Sequence, residues 1–292
     1  MTWAHAIDLH MHTTVSDGTD TPAEILRRVK EAGIELFSVT DHDAIKGSAT
    51  LLSLSTADDP AFVTGVEFSC KDEQGKYHIL GYGYDPDAPS IRQTVESGHN
   101  YRMNKVHARL LFLEQRFGYS FPEEELSALF AMDNPGKPHI GNLMVKYGYA
   151  GTKEEAIRDY INQLHISGQY LRPEEAVAGI LAAGGVPILA HPVFGDGGQL
   201  IVGEALEERI RRLMGFGLKG VEAFYSGFSG EQKRDVLLLA EQYGLYVTAG
   251  SDYHGTNKRV SLGDTGLGDA DKWPDGLYRF FDAVRKEPKK AI

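Results

Sequence analysis

The chain is poor in several features that decide where a protein works. It has one cysteine, Cys70, in 292 residues. No intrachain disulfide can form, and cysteine usage gives no sign of an oxidising compartment. No apolar run reaches the length that spans a bilayer, and the first residues lack a signal-peptide pattern. The expectation is a cytoplasmic protein that makes no use of a membrane. Basic charge is not in excess: 30 Lys and Arg against 41 Asp and Glu leave a net charge of -11. That excludes an extended nucleic-acid or membrane-coating surface, because phosphate-rich partners would be repelled by most of the molecule. It does not exclude a small anionic substrate, since bound cations invert the sign locally. Low-complexity tracts and internal repeats are also missing. The hydrophobic share of 42% is ordinary for a globular chain of a length that suits one large core or a core plus a subdomain.

Histidine, by contrast, is plentiful, with eleven residues. Several stand beside acids at the ends of apolar runs. Short β-rich runs recur at 6–11, 35–40, 62–68, 77–82, 186–190, 220–224 and 245–249. Helical patterns follow most of them. Thr21-Pro22-Ala23-Glu24 reads as a capping box with proline at the first helical position, opening a helix that Gly33 stops. Arg172-Pro173-Glu174-Glu175 opens another, and 204–214 and 231–244 read likewise. Strand alternating with helix predicts an α/β fold with a largely parallel sheet, and seven strands suit a small barrel. The runs carrying Glu67 and His78 are joined by a polar turn too short for a crossover, so they form a hairpin that brings the two residues to one rim. Between 85 and 171 the alternation stops. Helical signals at 97–117, 122–131, 139–147 and 152–164 predict an inserted helical subdomain (85–171) within a barrel made of 1–84 and 172–292.

The chemistry-bearing residues sit at the strand ends. In Asp8-Leu9-His10-Met11-His12, strand alternation puts Asp8, His10 and His12 on one face. Alone, this could equally be a polar strand face. Asp17 follows in the turn Ser16-Asp17-Gly18. Thr40-Asp41-His42-Asp43 comes directly after an apolar strand, at the rim where barrel sites lie, although helix capping would explain it as well. Glu67 lies inside the apolar Val66-Glu67-Phe68, where a carboxylate needs a cation or strong donors; a structural salt bridge is the alternative. His78 starts the next strand, His191 ends another, and Ser251-Asp252-Tyr253-His254 ends the last. Any one of these could be a core histidine, but five strand ends placing His, Asp or Glu at one rim point to a metal site. Imidazole with carboxylate and no thiolate set suits Mn, Fe or Zn. Nine donors exceed the needs of one ion and suit two or three divalent or trivalent ions sharing a carboxylate.

These motifs together resemble the PHP (polymerase and histidinol phosphatase) family of phosphoesterases, most of all its stand-alone bacterial members with a helical insert. The matching segments are Asp8-Leu9-His10-Met11-His12, Ser16-Asp17-Gly18, Thr40-Asp41-His42-Asp43, Gly65-Val66-Glu67, His78-Ile79-Leu80-Gly81, Ala190-His191-Pro192 and Ser251-Asp252-Tyr253-His254. The resemblance implies a distorted (β/α)7 TIM-like barrel and a trinuclear site. His10, His12, Glu67 and Asp252 would hold one ion, Glu67, His78 and His191 a second, and Asp17, His42 and His254 a third. Asp8, Asp41 and Asp43 would orient the imidazoles from behind. One departure concerns substrate choice: Val193-Phe194-Gly195 stands where many relatives carry Gly-Arg-Tyr.

Arg102, Lys105 and Arg109 fall on one helical face of the insert, a basic stripe that suits a phosphate or else a solvated surface. Lys137-Pro138-His139 resembles the Arg-Pro-His of relatives. Arg102 and His139 are the expected substrate contacts. His5, His99, His107 and His165 read as surface or packing residues. The expected activity is hydrolysis of phosphate esters of small phosphorylated metabolites, nucleotides or RNA 5′ ends by a metal-bridging hydroxide, with Asp252 or His191 assisting the leaving oxygen. The alternatives are a histidinol-phosphate phosphatase and, from another class, a non-catalytic metal-binding or interaction module.

Overall fold

The computed structural model describes residues 7–166, 170–195, 199–268 and 273–285. His5 and the start of the expected first strand, Ala6, lie outside the described residues. The first three strands, β1 (Ile7–Asp8), β2 (Leu36–Phe37) and β3 (Ala61–Phe62), form a parallel sheet in that order. Between β1 and β2 lies α1 (Pro22–Glu31). The Thr21 hydroxyl accepts from the Glu24 amide at 3.2 Å, and the Glu24 carboxylate accepts from the Thr21 amide at 2.7 Å. This is the capping box read in the sequence. Ile25 and Val29 are the buried face of the helix. A second helix, α2 (Lys46–Leu54), packs on α1.

The apolar run at 62–68 divides into two strands. Its first part belongs to β3, and its second opens β4 (Gly65–Asp72), which pairs with β5 (Gly75–Tyr82) in the expected hairpin. At the break the chain is tied to α2. The Ser48 hydroxyl lies 2.8 Å from the Gly65 carbonyl and 3.0 Å from the Val39 carbonyl and accepts from the Gly65 amide at 2.9 Å, holding the start of β4 against the segment after β2. A Cβ at Gly65 would lie 2.1 Å from the Ser38 hydroxyl, so the close approach needs glycine.

Four helices follow: α3 (Pro89–Phe117), α4 (Glu123–Phe130), α5 (Lys137–Lys146) and the short α6 (Lys153–Glu155), continued as a π turn over Ala156–Tyr160. The helix expected from 97 begins at Pro89. Its first half packs with the main core through Ile91. Its second half joins Val106 and Leu113 to Leu129, Ile140, Met144, Ala156 and Ile161 in a separate cluster. The helical stretch thus carries its own apolar centre on a helix rooted in the main core.

The chain returns through α7 (Pro173–Ala182), β6 (Val186–Leu189), α8 (Gly203–Phe216), β7 (Gly220–Tyr225), α9 (Gly230–Gln242), β8 (Tyr246–Gly250) and α10 (Asp275–Val284). β4 to β8 form a five-stranded sheet in sequence order. The β4–β5 and β5–β6 pairs are antiparallel; the β6–β7 and β7–β8 pairs are parallel. The strands are therefore two sheets rather than one continuous barrel sheet. Isolated parallel bridges join them at both edges, Met11 with Tyr253 and His42 with Glu67. Among the described residues no helix is long and apolar enough to cross a membrane.

Candidate metal centre

The two bridges are where the expected ligands meet. On one side the Asp252 amide donates to the His10 carbonyl and the His12 amide to the Tyr253 carbonyl, both at 2.8 Å. On the other the Asp43 amide donates to the Glu67 carbonyl at 2.8 Å. Asp43, His191 and Asp252 hold positive φ angles of 48°, 25° and 58°, and they are the non-glycine residues described with such a backbone. His191 and Asp252 lie just past β6 and β8, and Asp43 lies between β2 and α2. Left-handed backbone costs a non-glycine residue about 1 kcal/mol or more, and such strain collects at functional sites.

Glu67 is the hub. Its Oε2 lies 3.3 Å from His10 Nε2, 3.2 Å from His12 Nε2 and 3.1 Å from His42 Nδ1. Its Oε1 lies 2.8 Å from His78 Nδ1 and 3.3 Å from His191 Nε2. Asp252 Oδ1 is 3.6 Å from His10 Nε2 and 3.4 Å from His12 Nε2. Asp17 Oδ1 is 3.3 Å from His254 Nε2 and 3.7 Å from His12 Nδ1, and Asp17 Oδ2 is 3.9 Å from His42 Nε2. All nine residues singled out in the sequence therefore lie in one continuous cluster. His42, expected only beside Asp17 and His254, also turns its other nitrogen to Glu67.

Four donor sets in the cluster have ligand atoms close enough to share an ion: His12, Asp17, His42 and His254; His10, His12 and Glu67; His10, His191 and Asp252; His42, Glu67 and His78. His10 Nε2, His12 Nε2, His42 Nδ1 and Glu67 Oε2 are buried and have no hydrogen-bond partner. Leaving buried polar atoms unpaired is costly. Atoms of this kind converging on shared points fit cations. The electrostatics agree. Burial alone would lower His10 and His12, yet neighbouring carboxylates raise both, His12 to about 9. Burial alone would raise Glu67, Asp17 and Asp252, yet the surrounding imidazoles, with Lys258 beside Asp252, hold all three well below the usual carboxylate range. His42 goes the other way: burial, with Arg102 and His12 beside it, holds it well below the usual histidine range.

The supporting groups differ from expectation. His10 donates Nδ1–H to Glu222 Oε1 at 2.9 Å, and Glu222 Oε2 accepts from the His191 amide at 2.8 Å. Glu222 was not singled out in the sequence, although its position inside Gly220-Val221-Glu222-Ala223-Phe224 repeats the signal that identified Glu67. Gly250 makes room for it: a Cβ there would lie 2.2 Å from His10 Cβ and 2.4 Å from Glu222 Oε1. Asp8, Asp41 and Asp43 bond no imidazole. Asp8 accepts from the Ser251 hydroxyl and amide at 2.6 and 2.9 Å and from the Gly263 amide at 2.9 Å. Asp41 accepts from Thr13 and from the Ser16 hydroxyl, each at 2.8 Å. Asp43 accepts from the Ser69 amide at 3.0 Å and from Arg102 at 3.0 and 3.1 Å. Asp8 and Asp43 fix the backbone and Arg102, while Asp41 reaches the His12 ring through Ser16, whose hydroxyl lies 3.4 Å from His12 Nδ1. Tyr225 donates to Asp252 Oδ2 at 2.9 Å, and Lys258 bonds the same oxygen.

The basic stripe is not a solvated helix face. Arg102, Lys105 and Arg109 are buried. With Lys76, Lys137 and Tyr170 they line a cavity of about 250 Å³ that reaches Asp17, His42 and His78. Burial pushes Lys105 down to about 7 and Arg109 down to about 10. The Lys105 ammonium lies 3.9 Å from the Tyr170 ring centre. His139 is set one step back: its Nδ1 accepts from the Gly136 amide at 3.0 Å at the start of α5. His107 stacks on Phe130, and the His99 ring faces Asn134, as packing residues do.

Comparison with known proteins agrees with this architecture. The PHP domain model matches residues 8–171. A 3′,5′-nucleoside bisphosphate phosphatase from Chromobacterium violaceum is 30% identical over 85% of this chain and 87% of its own. A phosphoribosyl 1,2-cyclic phosphate 1,2-diphosphodiesterase from Eggerthella lenta is 29% identical over 87% and 95%, and a 5′-3′ exoribonuclease from Haemophilus influenzae 25% over 88% and 92%. Among solved structures, an amidohydrolase from C. violaceum with bound sulfate superposes with a TM-score of 0.80 at 26% identity, covering 96% of this chain and 97% of that one. The chain belongs to the PHP domain family, a family of metal-dependent phosphoesterases.

Proposed function

We propose that this protein hydrolyses a phosphate ester of a small substrate bearing a second anionic group, such as a nucleotide with more than one phosphate. The observation that carries the reading is the placement of the cation-lined cavity directly against the nine-donor cluster. The relatives' activities, on a nucleoside bisphosphate, a cyclic phosphate and RNA, share the chemistry. A histidinol-phosphate substrate fits less well, because its amine and imidazole would face Lys76, Arg102, Lys105, Arg109 and Lys137.

In this reading His10, His12, Glu67 and Asp252 hold one ion, Glu67, His78 and His191 a second, and Asp17, His42 and His254 a third. Ions bound there would supply Lewis acidity towards a phosphoryl oxygen and an activated water. The remaining work belongs to the chain. Glu222 fixes the His10 ring with Nε2 turned inward. Tyr225 and Lys258 hold Asp252 by its outer oxygen. Asp43 and Ser69 aim the Arg102 guanidinium along the cavity wall, where it can take an anion's oxygens in a charge-assisted pair. Asp252 and His191 are the rim groups assigned to the departing oxygen. The two sheets act as halves of one distorted (β/α)7 barrel formed by 1–84 and 172–292, with 85–171 inserted to wall the substrate cavity. The two bridging contacts between the sheets and the separate apolar cluster of the helices support that division.

A panel assay with Mn²⁺ tests the reading. Phosphate release from nucleoside bisphosphates should exceed that from simple phosphomonoesters and from histidinol phosphate. Failure to hydrolyse any phosphoester would favour a non-catalytic metal-binding module.

A further inference from the structure

The three proposed ion sites are not held alike. His10, Glu67 and His78 are held by backbone bonds to the neighbouring strands or the segments that continue them, and His191 by a side chain of β7. The His10 carbonyl accepts from Asp252 at 2.8 Å, Glu67 bonds Asp41 and Asp43, and the His78 carbonyl accepts from Ala190 at 3.0 Å. His191 is held through Glu222. Asp17, His42 and His254 lie in the segments after β1, β2 and β8, and of the three His42 is also bridged to Glu67. The carbonyls of all three accept from two asparagines. Asn257 donates its side-chain amide to the Asp17 carbonyl at 2.8 Å and its backbone amide to the His254 carbonyl at 3.3 Å. Asn134, fully buried, donates to the His42 carbonyl.

Both of these contacts lead into the helical stretch. Asn134 lies between α4 and α5. Asn257 is held from α6 by Lys153, whose ammonium donates to the Asn257 carbonyl at 2.8 Å and to its side-chain oxygen at 3.2 Å. The Glu154 carboxylate is farther from the Lys153 ammonium, at 3.8 Å. The carbonyls of Asp17, His42 and His254 are thus all reached from 85–171, through Asn134 directly and through the Lys153–Asn257 pair.

We infer that Asn134 and Lys153 are positioning residues for the Asp17, His42 and His254 site, so that docking of the helical segment decides whether the third ion is held. The inference rests on the three-ion reading above. Seated helices hold the three loops at ligating spacing. Released helices leave the other two sites in place and the third set slack. Because the cavity is walled by Arg102, Lys105 and Arg109 from α3 and by Asp17 and His42 from the loops, an anion bound between them draws the same two bodies together. Substrate and third ion should then bind cooperatively, each seating what the other needs.

The test is metal stoichiometry by inductively coupled plasma mass spectrometry after equilibrium dialysis against graded Mn²⁺, on the full chain and on Lys153→Met, Asn134→Ala and the exposed control Lys146→Met. The wild type and Lys146→Met should bind three ions. Lys153→Met and Asn134→Ala should retain two at unchanged affinity and bind the third roughly 10- to 100-fold more weakly, the range for residues behind metal ligands. Lys153→Arg, which can still donate to Asn257, should recover most of the loss. Should Asn134→Ala fail to fold by circular dichroism, Lys153→Met, altered only at the rim, decides alone. Three ions at unchanged affinity in a folded Lys153→Met would overturn the inference, as would a uniform loss at all sites. A wild type that binds fewer than three ions would overturn the three-ion reading itself.

Discussion

Glu222 Oε1 lies 2.9 Å from Nδ1 of His10, and neither side chain has any solvent exposure. That contact decides which nitrogen of His10 carries hydrogen and leaves Nε2 free, 3.3 Å from Glu67 Oε2. A carboxylate behind a ligating imidazole fixes its tautomer and raises its basicity. Glu222→Ala should therefore weaken ion binding by roughly 10- to 100-fold while leaving the cavity unchanged. Glu222→Gln, which can still accept the bond, should lose less. Isothermal titration with Mn²⁺ reads the difference, and unchanged affinity in Glu222→Ala would contradict this role of Glu222.

The cationic cavity should act on binding more than on turnover. Lys105 and Arg109 line it beyond Arg102, and neither belongs to the donor cluster. Lys105→Met and Arg109→Met should raise KM for a substrate with a second anionic group by roughly 10- to 100-fold, as expected when a charged hydrogen bond of about 1.5–3 kcal/mol is lost. Turnover of a simple monoester such as p-nitrophenyl phosphate should change little. A parallel fall in kcat for both substrates would show that these residues support the metal centre instead.

The same cavity predicts a pH dependence. Burial is the first cause that brings Lys105 down to about 7; Arg102, Arg109 and Lys137 push the same way, and Asp43 opposes them. The protonated ammonium is the form that attracts an anion. KM for the doubly anionic substrate should therefore rise as pH increases through about 7, and Lys105→Met should remove that limb of the profile. Stability moves oppositely. The unfolded lysine keeps its proton to about 10.4 while the folded one releases it near 7, so this group's contribution rises between those values. Denaturant midpoints of wild type and variant across that range give the check.

The donors of the cluster were legible because each announced itself locally. His10, His42, His191 and His254 follow apolar runs, and Glu67 interrupts one. Glu222 carries that second signal too, but nothing adjacent in sequence marks it, and its meaning depends on β7 lying beside β6 and His10. The stripe of Arg102, Lys105 and Arg109 could be read from helical spacing, but not its burial, because the surface covering it comes from Tyr170, Lys76 and the far strand ends. Asp8, Asp41 and Asp43 were assigned to rings; Asp41 reaches His12 only through Ser16, and Asp8 and Asp43 instead hold backbone and Arg102, since proximity along the chain does not say which donor a carboxylate turns towards. The run at 62–68 shows the same limit: its apolar pattern is continuous, and nothing in it marks that Phe62 pairs with β2 while Gly65 opens the hairpin with β5.

The central claim is that one cluster centred on Glu67 holds the ions and performs phosphate-ester hydrolysis. The direct measurement is phosphate release from a nucleoside 3′,5′-bisphosphate by wild type and by His10→Ala/Glu67→Ala, each assayed after chelation and again after Mn²⁺ is restored. Wild type should lose activity on chelation and regain it with Mn²⁺. The double variant should remain folded by circular dichroism, bind fewer ions and release no phosphate under either condition. Undiminished hydrolysis by the double variant, or by chelated wild type, would contradict the account.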